Sequence, residues 1–211
     1  MNKRFLVLLL LAIIVAFLFV YSSMLQGEFY RIVNFFNELV VQNEPLAMVV
    51  FVLLAAVAAL ISPLTNIPLV PFAVVIWGAV PTTILLLSGW LIGDTLAYIV
   101  GRYLGHKTVS YFISEEKLDL WSQAIKKHTN FYRALFVRLV LPAELGYAFG
   151  IIRYPFWSYL LITFLAEVPF AIISTYASEA VLSGSIVKFF WLTAALFAII
   201  FLAFRSLRKN S

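Results

Sequence analysis

Long apolar runs, separated by short polar or proline-rich breaks, set out the plan of this chain. Phe5 to Val20 is uninterrupted behind Asn2-Lys3-Arg4. It reads as a retained first helix rather than a cleaved leader, because it exceeds the roughly 7–15 residues of a leader core and no small-residue cleavage pattern follows. From Glu28 to Val41, Phe29, Ile32, Val33, Phe36, Leu39 and Val40 share one helical face against Glu28, Arg31, Asn34 and Glu38. That pattern fits a helix lying in the membrane interface and equally a short soluble helix packed on the domain. Pro45 to Val80 is apolar but broken between Ser62 and Pro71 by Pro63, Pro68 and Pro71. Each proline removes a backbone donor and crowds the preceding turn, and broken backbone survives at membrane depth only inside protein or beside a cavity, so a re-entrant hairpin is expected here.

Pro81 then opens a helix to about Gly105 whose Gly89, Gly93, Ala97, Gly101 and Gly105 recur every fourth residue, a seam that lets another backbone come close. About 100° round from the seam lies a polar row of Asp94, Tyr98 and Arg102. A carboxylate at the centre of a spanning helix costs roughly 2.5–3.5 kcal/mol, so Asp94 is expected to face protein or a wet cavity. The one strongly polar stretch, His106 to Asn130, holds a helix started by Ser114-Glu115-Glu116 and ended by Lys126-Lys127-His128, with acids and bases placed to match its dipole. Leu118, Trp121 and Ile125 form a greasy side suited to the membrane surface. Phe131 to Tyr154 is a second broken segment, interrupted at Pro142 to Gly146. Pro155 to Tyr176 is a span with Glu167 near its centre, and Ile186 to Phe204 is a last span before Arg205, Arg208 and Lys209.

Composition confirms the class: of 211 residues 64% are hydrophobic and 12% charged, with mean hydropathy +1.01, against soluble averages of about 45–50% and 25%. Unbroken runs of this length fit spanning helices rather than the alternating ten-residue strands of a barrel. The net charge of +5 reads as loop topology and not as nucleic-acid affinity. With both broken segments re-entrant, twelve of the fifteen Lys and Arg residues fall on the cytoplasmic side and only Arg31 and Lys188 on the other, Arg138 lying within the membrane. This places both termini in the cytoplasm. Trp77, Trp90, Trp157 and Trp191 fit the aromatic belts.

The two halves also echo each other. Thirteen residues separate Pro68 from Pro81 and Pro142 from Pro155, and Asp94 and Glu167 follow thirteen and twelve residues later. Opening on opposite sides, the hairpins form an inverted repeat, which points to a transport site at the repeat interface. The expected fold is all-α and multi-pass: residues 1–44 as an N-terminal transmembrane and interfacial helix, 45–180 as a core of two inverted re-entrant hairpin-plus-helix repeats, and 181–211 as a C-terminal transmembrane helix and basic tail. Pro63, Pro68 and Pro142 shape the hairpins, and Gly93 and Gly101 allow their close approach.

No enzyme is expected. An intramembrane aspartyl protease needs a second aspartate, the two histidines lie in the polar loop away from any buried serine, and zero cysteines leave no thiolate nucleophile or zinc set. Neither a metal nor a cofactor is called for.

The spacing G-D-x3-Y-x2-G-R-x2-G of Gly93-Asp94, Tyr98, Gly101-Arg102 and Gly105, after a proline-rich apolar segment, resembles the DedA family within the VTT (SNARE-associated, TVP38-like) superfamily. Arg138 followed by Pro142 and Gly150 is similar to that family's second hairpin, and the resemblance runs over roughly Pro45 to Ala180. Pro142 lies one residue later than usual, Thr65-Asn66 stands where many members carry a carboxylate, and Glu144 lies where a second arginine is common. The resemblance implies lipid movement, by a flippase or scramblase acting on phospholipid or polyprenyl phosphate, and a bacterial inner-membrane location.

Half-helix N-termini at the hairpin tips would attract an anion, and Arg138 adds a permanent fork that fits phosphate. Arg138, Asn66, Glu144 and Tyr98 are therefore expected around a lipid headgroup, with Asp94, Glu144 and Glu167 exchanging protons or Na⁺. In the structural alternative Arg138 merely neutralises an acid, Asp94 fixes a hairpin, and Arg102 snorkels to the interface. The other functional readings are ion-coupled transport of a small solute and a scaffold for membrane homeostasis. The sequence leaves the oligomeric state open.

Overall fold

The computed structural model describes residue 31 and residues 34–61, 66–111, 113–127, 130–141 and 144–209. Among these every regular element is helical. In order they are α1 (Asn34–Leu60), a 3₁₀ turn (Ile67–Leu69), α2 (Val70–Trp77), α3 (Ala79–Val109), α4 (Glu115–Lys127), α5 (Phe131–Val140), α6 (Leu145–Ile151), α7 (Phe156–Leu182) and α8 (Ile186–Lys209). The expected first span, Phe5 to Val20, lies outside the described residues, as do Pro63 and Pro142. Two compact units divide the chain, Met1–Ala47 and Met48–Ser211.

Four helices, α1, α3, α7 and α8, are long and apolar enough to cross a membrane. Their outward side chains are greasy: Leu53, Ile84, Leu161 and Phe197, one from each, are all exposed, a surface that water would penalise and lipid does not. Trp157 and Trp191 are exposed as the belts require, whereas Trp77 packs edge-on against Phe51 and Trp90 donates its indole N–H to Asn66. Both are half-buried, so one edge of each ring stays open to the surroundings.

The amphipathic stretch expected as a separate interfacial helix is, from Asn34, the leading part of α1, which runs on through Pro45. Asn43 Oδ1 accepts the Leu46 N–H at 3.1 Å, supporting the backbone at the point where proline weakens the ladder. The greasy side of α4 also differs from expectation: Leu118, Trp121 and Ile125 are buried in the same apolar cluster as Tyr98, Phe149 and Tyr159. This short helix packs on α6 and so covers protein rather than lipid.

Glycines place α3. A Cβ on Gly93 would overlap the Ala56 carbonyl of α1, and one on Gly101 would overlap the Tyr147 carbonyl of α6. Gly89 lies against Val52 and Ala55, so α1 advances alongside α3 in the same direction. On the same strip Gly146 of α6 meets Ala97, and Gly150 meets the backbone of Tyr98 and Arg102. The seam read from the sequence thus serves two partners. Gly105 is its exception: nothing lies near it, and its φ of 73° marks the bend where the helix proper ends.

Candidate functional site

Arg138 is the centre of the buried polar network. It sits on the last turn of α5, just before the break at Leu141, and is 4% exposed. Its Nη2 donates to Asp94 Oδ2 of α3 at 2.7 Å and to Glu167 Oε1 of α7 at 2.6 Å. Asp94 is fully buried, and the side chain of Glu167 is 12% exposed. One permanent cation thus faces two carboxylates from separate spanning helices. A third, Glu144 at the start of α6, is 3% exposed and lies two residues before Gly146, which packs against the Asp94 carbonyl. No ion pair joins Glu144 to Arg138 among the described residues.

Such a cluster is costly unless its members satisfy one another. The satisfaction is incomplete: Arg138 Nε and Asp94 Oδ1 are both buried without a partner among the described residues. The guanidinium spends a single nitrogen on both acids, which leaves donor capacity for a further oxygen.

Helix ends flanking both breaks meet near this level. Tyr147 of α6 donates its hydroxyl to the Leu60 carbonyl, at the end of α1, at 2.9 Å. Gly146 lies against the Asp94 carbonyl, while Trp90, one turn earlier on α3, holds Asn66 Oδ1 at 3.2 Å. Because α2 leads back from Asn66 towards the start of α3, with Trp77 against Phe51, α1 and α2 fold back on one another.

The sequence-predicted residues therefore separate into groups. Arg138, Asp94 and Glu167 meet directly, with Glu144 beside them. Asn66 is engaged with Trp90, and its Nδ2 is buried without a partner. Tyr98 is buried, but its hydroxyl donates to the Tyr154 carbonyl at 2.5 Å and accepts from Arg102 Nη1 at 2.6 Å. It supports the wall of the site. Arg102 is exposed at the helix end, as an interfacial anchor would be. Gly93 and Gly101 make the close approaches expected of them, and Pro68 lies in the 3₁₀ turn.

Tyr159 and Thr163 were not anticipated. Tyr159 donates its hydroxyl to the Asp94 carbonyl at 2.7 Å and stacks on Tyr98 with ring centroids 4.7 Å apart. Thr163 is fully buried. The signal was present: Tyr159, Thr163 and Glu167 recur every fourth residue and so share one face of α7.

Several apolar spanning helices around a buried charge cluster define a multi-pass α-helical membrane protein. The family model of the VTT domain matches residues 63–180, more than half of the chain. The chain belongs to this family, the DedA/SNARE-associated domain. No curated protein and no solved structure matches it.

Proposed function

We propose that this protein moves a phosphate-bearing lipid across the bilayer, with Arg138 passing between its carboxylate partners and the headgroup. The observation that carries this reading is the two-acid grip on one guanidinium near the level where helix ends flanking the chain's two breaks meet. That meeting supports two re-entrant hairpins, α1–α2 and α5–α6, opening on opposite sides; the distribution of Lys and Arg favours termini on the cytoplasmic face, and the family resemblance favours a bacterial inner membrane.

The coupling follows from charge. Arg138 remains protonated, so its grip changes only when an acid does. Protonating Glu167 or Asp94 removes one arm of the grip and frees donors for a phosphate oxygen. One carboxylate charge is neutralised as one phosphate charge arrives, so the cluster's net charge is conserved and the headgroup travels with a proton. Na⁺ on the same carboxylate would serve equally. The lipid tails stay in the membrane, no bond is broken, and the protein acts as a carrier rather than an enzyme.

The test is purified protein in vesicles carrying a headgroup-phosphate lipid with a fluorescent tail, with and without an imposed proton gradient. Loss of inner-leaflet protection from an external quencher is expected, faster with the gradient. An unchanged signal across several phospholipids and a polyprenyl phosphate would overturn the reading in favour of a small solute or a scaffold.

A further inference from the structure

A cavity of about 510 Å³ opens where α7 enters the membrane, between α4, the start of α5 and the corner joining α6 to α7. Lys126 and Arg153 are its charged lining, Phe131, Tyr154 and Pro155 form its apolar wall, and Ser158 closes it from α7. No acid lines it. Both cations are exposed, and among the described residues neither has an ion pair. The first turn of α7 has no capping side chain and no acidic residue, so its positive end is not neutralised from within.

Arg153 also occupies a place where its backbone is strained. Its N–H bonds the Gly150 carbonyl at 2.9 Å, and the Tyr154 N–H bonds the Phe149 carbonyl at 3.0 Å. This pair of bonds closes a helix whose next residue usually is glycine, because the conformation is left-handed. Here it is Arg153, at φ 55°, the one non-glycine residue with positive φ among those described. A side chain kept at an unfavourable backbone position is a pointer to use.

We propose that this cavity is an interfacial binding site for the phosphate headgroup of an anionic membrane lipid. The α7 span begins at Phe156, and the exposed Trp157 marks the headgroup level beside it. The two cations lie at the depth of lipid phosphates, while the apolar wall meets the glycerol and upper chain. Burial pushes the Tyr154 phenol above its ordinary value, so it stays a neutral donor. A relay of contacts joins the cavity wall to the central cluster. Tyr154 accepts the Tyr98 hydroxyl, Tyr98 stacks on Tyr159, and Tyr159 bonds the Asp94 carbonyl. Its role as a loading site for Arg138 rests on the translocation reading; the binding itself does not.

The experiment is native mass spectrometry of the full chain released from phosphatidylcholine nanodiscs doped with phosphatidic acid, reading the retained anionic lipid across a titration. Arg153→Gly removes the cation and relieves the backbone, so thermal stability should hold or rise. Combined with Lys126→Gln it should weaken retention on the order of tenfold or more. Ser158→Glu, which adds a favourable charge to the helix start, should weaken retention without unfolding. Retention within twofold of wild type in both variants would overturn the site. So would displacement of the lipid by inorganic phosphate or glycerol phosphate at equal concentration, which would make a soluble ester the occupant. Loss of retention in Arg138→Gln alone, with the cavity variants unaffected, places the lipid at the central cluster and refutes this proposal while sparing translocation. Retention that depends on Lys126 and Arg153, in a protein that moves no lipid, does the reverse.

Discussion

The two halves of the core differ more in build than their spacing implies. The first sends a long helix, α1, into its break and receives it on a glycine-lined α3. The second uses the ten-residue α5 and seven-residue α6, and its spanning helix α7 contains no glycine. Each half contributes one carboxylate from its spanning helix, but the arginine comes from the second half only; Asn66 and Trp90 occupy the corresponding region of the first. Similar spacing thus supports unequal chemistry. α3 carries the close backbone contacts to α1 and α6, and α7 offers side chains. Glycine at Gly93 and Gly101 is required because a carbonyl oxygen stands where a Cβ would be. The second half carries that device on α6, at Gly146 and Gly150, and not on its spanning helix α7.

Removing the arginine should break this comparison most sharply. Arg138→Ala leaves Asp94 and Glu167 unpaired and is expected to cost about 3–5 kcal/mol, seen as a large drop in melting temperature in detergent and the loss of lipid movement in vesicles. Arg138→Lys should recover part of the stability but not the transport, since an ammonium cannot offer a planar fork. Equal transport in the lysine variant would refute phosphate recognition by Arg138.

The two acids test whether the halves are equivalent. Asp94 is fully enclosed and Glu167 partly open. Asp94→Asn should therefore cost roughly 1.5–3 kcal/mol, the range for a hydrogen bond to a charged group, while Glu167→Gln should scarcely alter melting, because Asp94 still holds Arg138. Glu167→Gln should instead flatten the pH dependence of lipid movement. Identical melting losses and unchanged pH profiles in both variants would show the halves to be interchangeable and Glu167 not to be the coupling acid.

The smallest effect is expected where the end of α1 touches α6. Tyr147→Phe deletes the bond to the Leu60 carbonyl and should cost about 0.5–1.5 kcal/mol, read by thermal unfolding. A slower transport rate with wild-type headgroup affinity would assign this contact to the movement of the two tips. Reduced affinity would assign it to the binding site instead.

Much of this was legible in the chain. Periodicity and hydropathy located α3, α4, α7 and α8, because a helix and its burial are encoded within a few turns of local sequence. The expense of a charge in a membrane singled out Asp94, Arg138 and Glu167 before any contact was known. The fate of Pro45 was less legible, since the proline reads as a stop while Asn43 mends the helix around it. The α4 face was misassigned because a greasy stripe looks the same whether lipid or α6 covers it.

Sequence alone determined the class of the protein, its spans, its family motif and the identity of its costly residues, all of which follow from composition and short-range spacing. Only the tertiary structure decided that one guanidinium nitrogen would meet both acids. Those partners lie 44 and 29 residues from Arg138 along the chain, and the meeting depends on where the glycines let α1 and α6 settle against α3. Distance of that kind leaves no periodic trace in the sequence, because it is set by which backbones can approach and not by which residues are apolar.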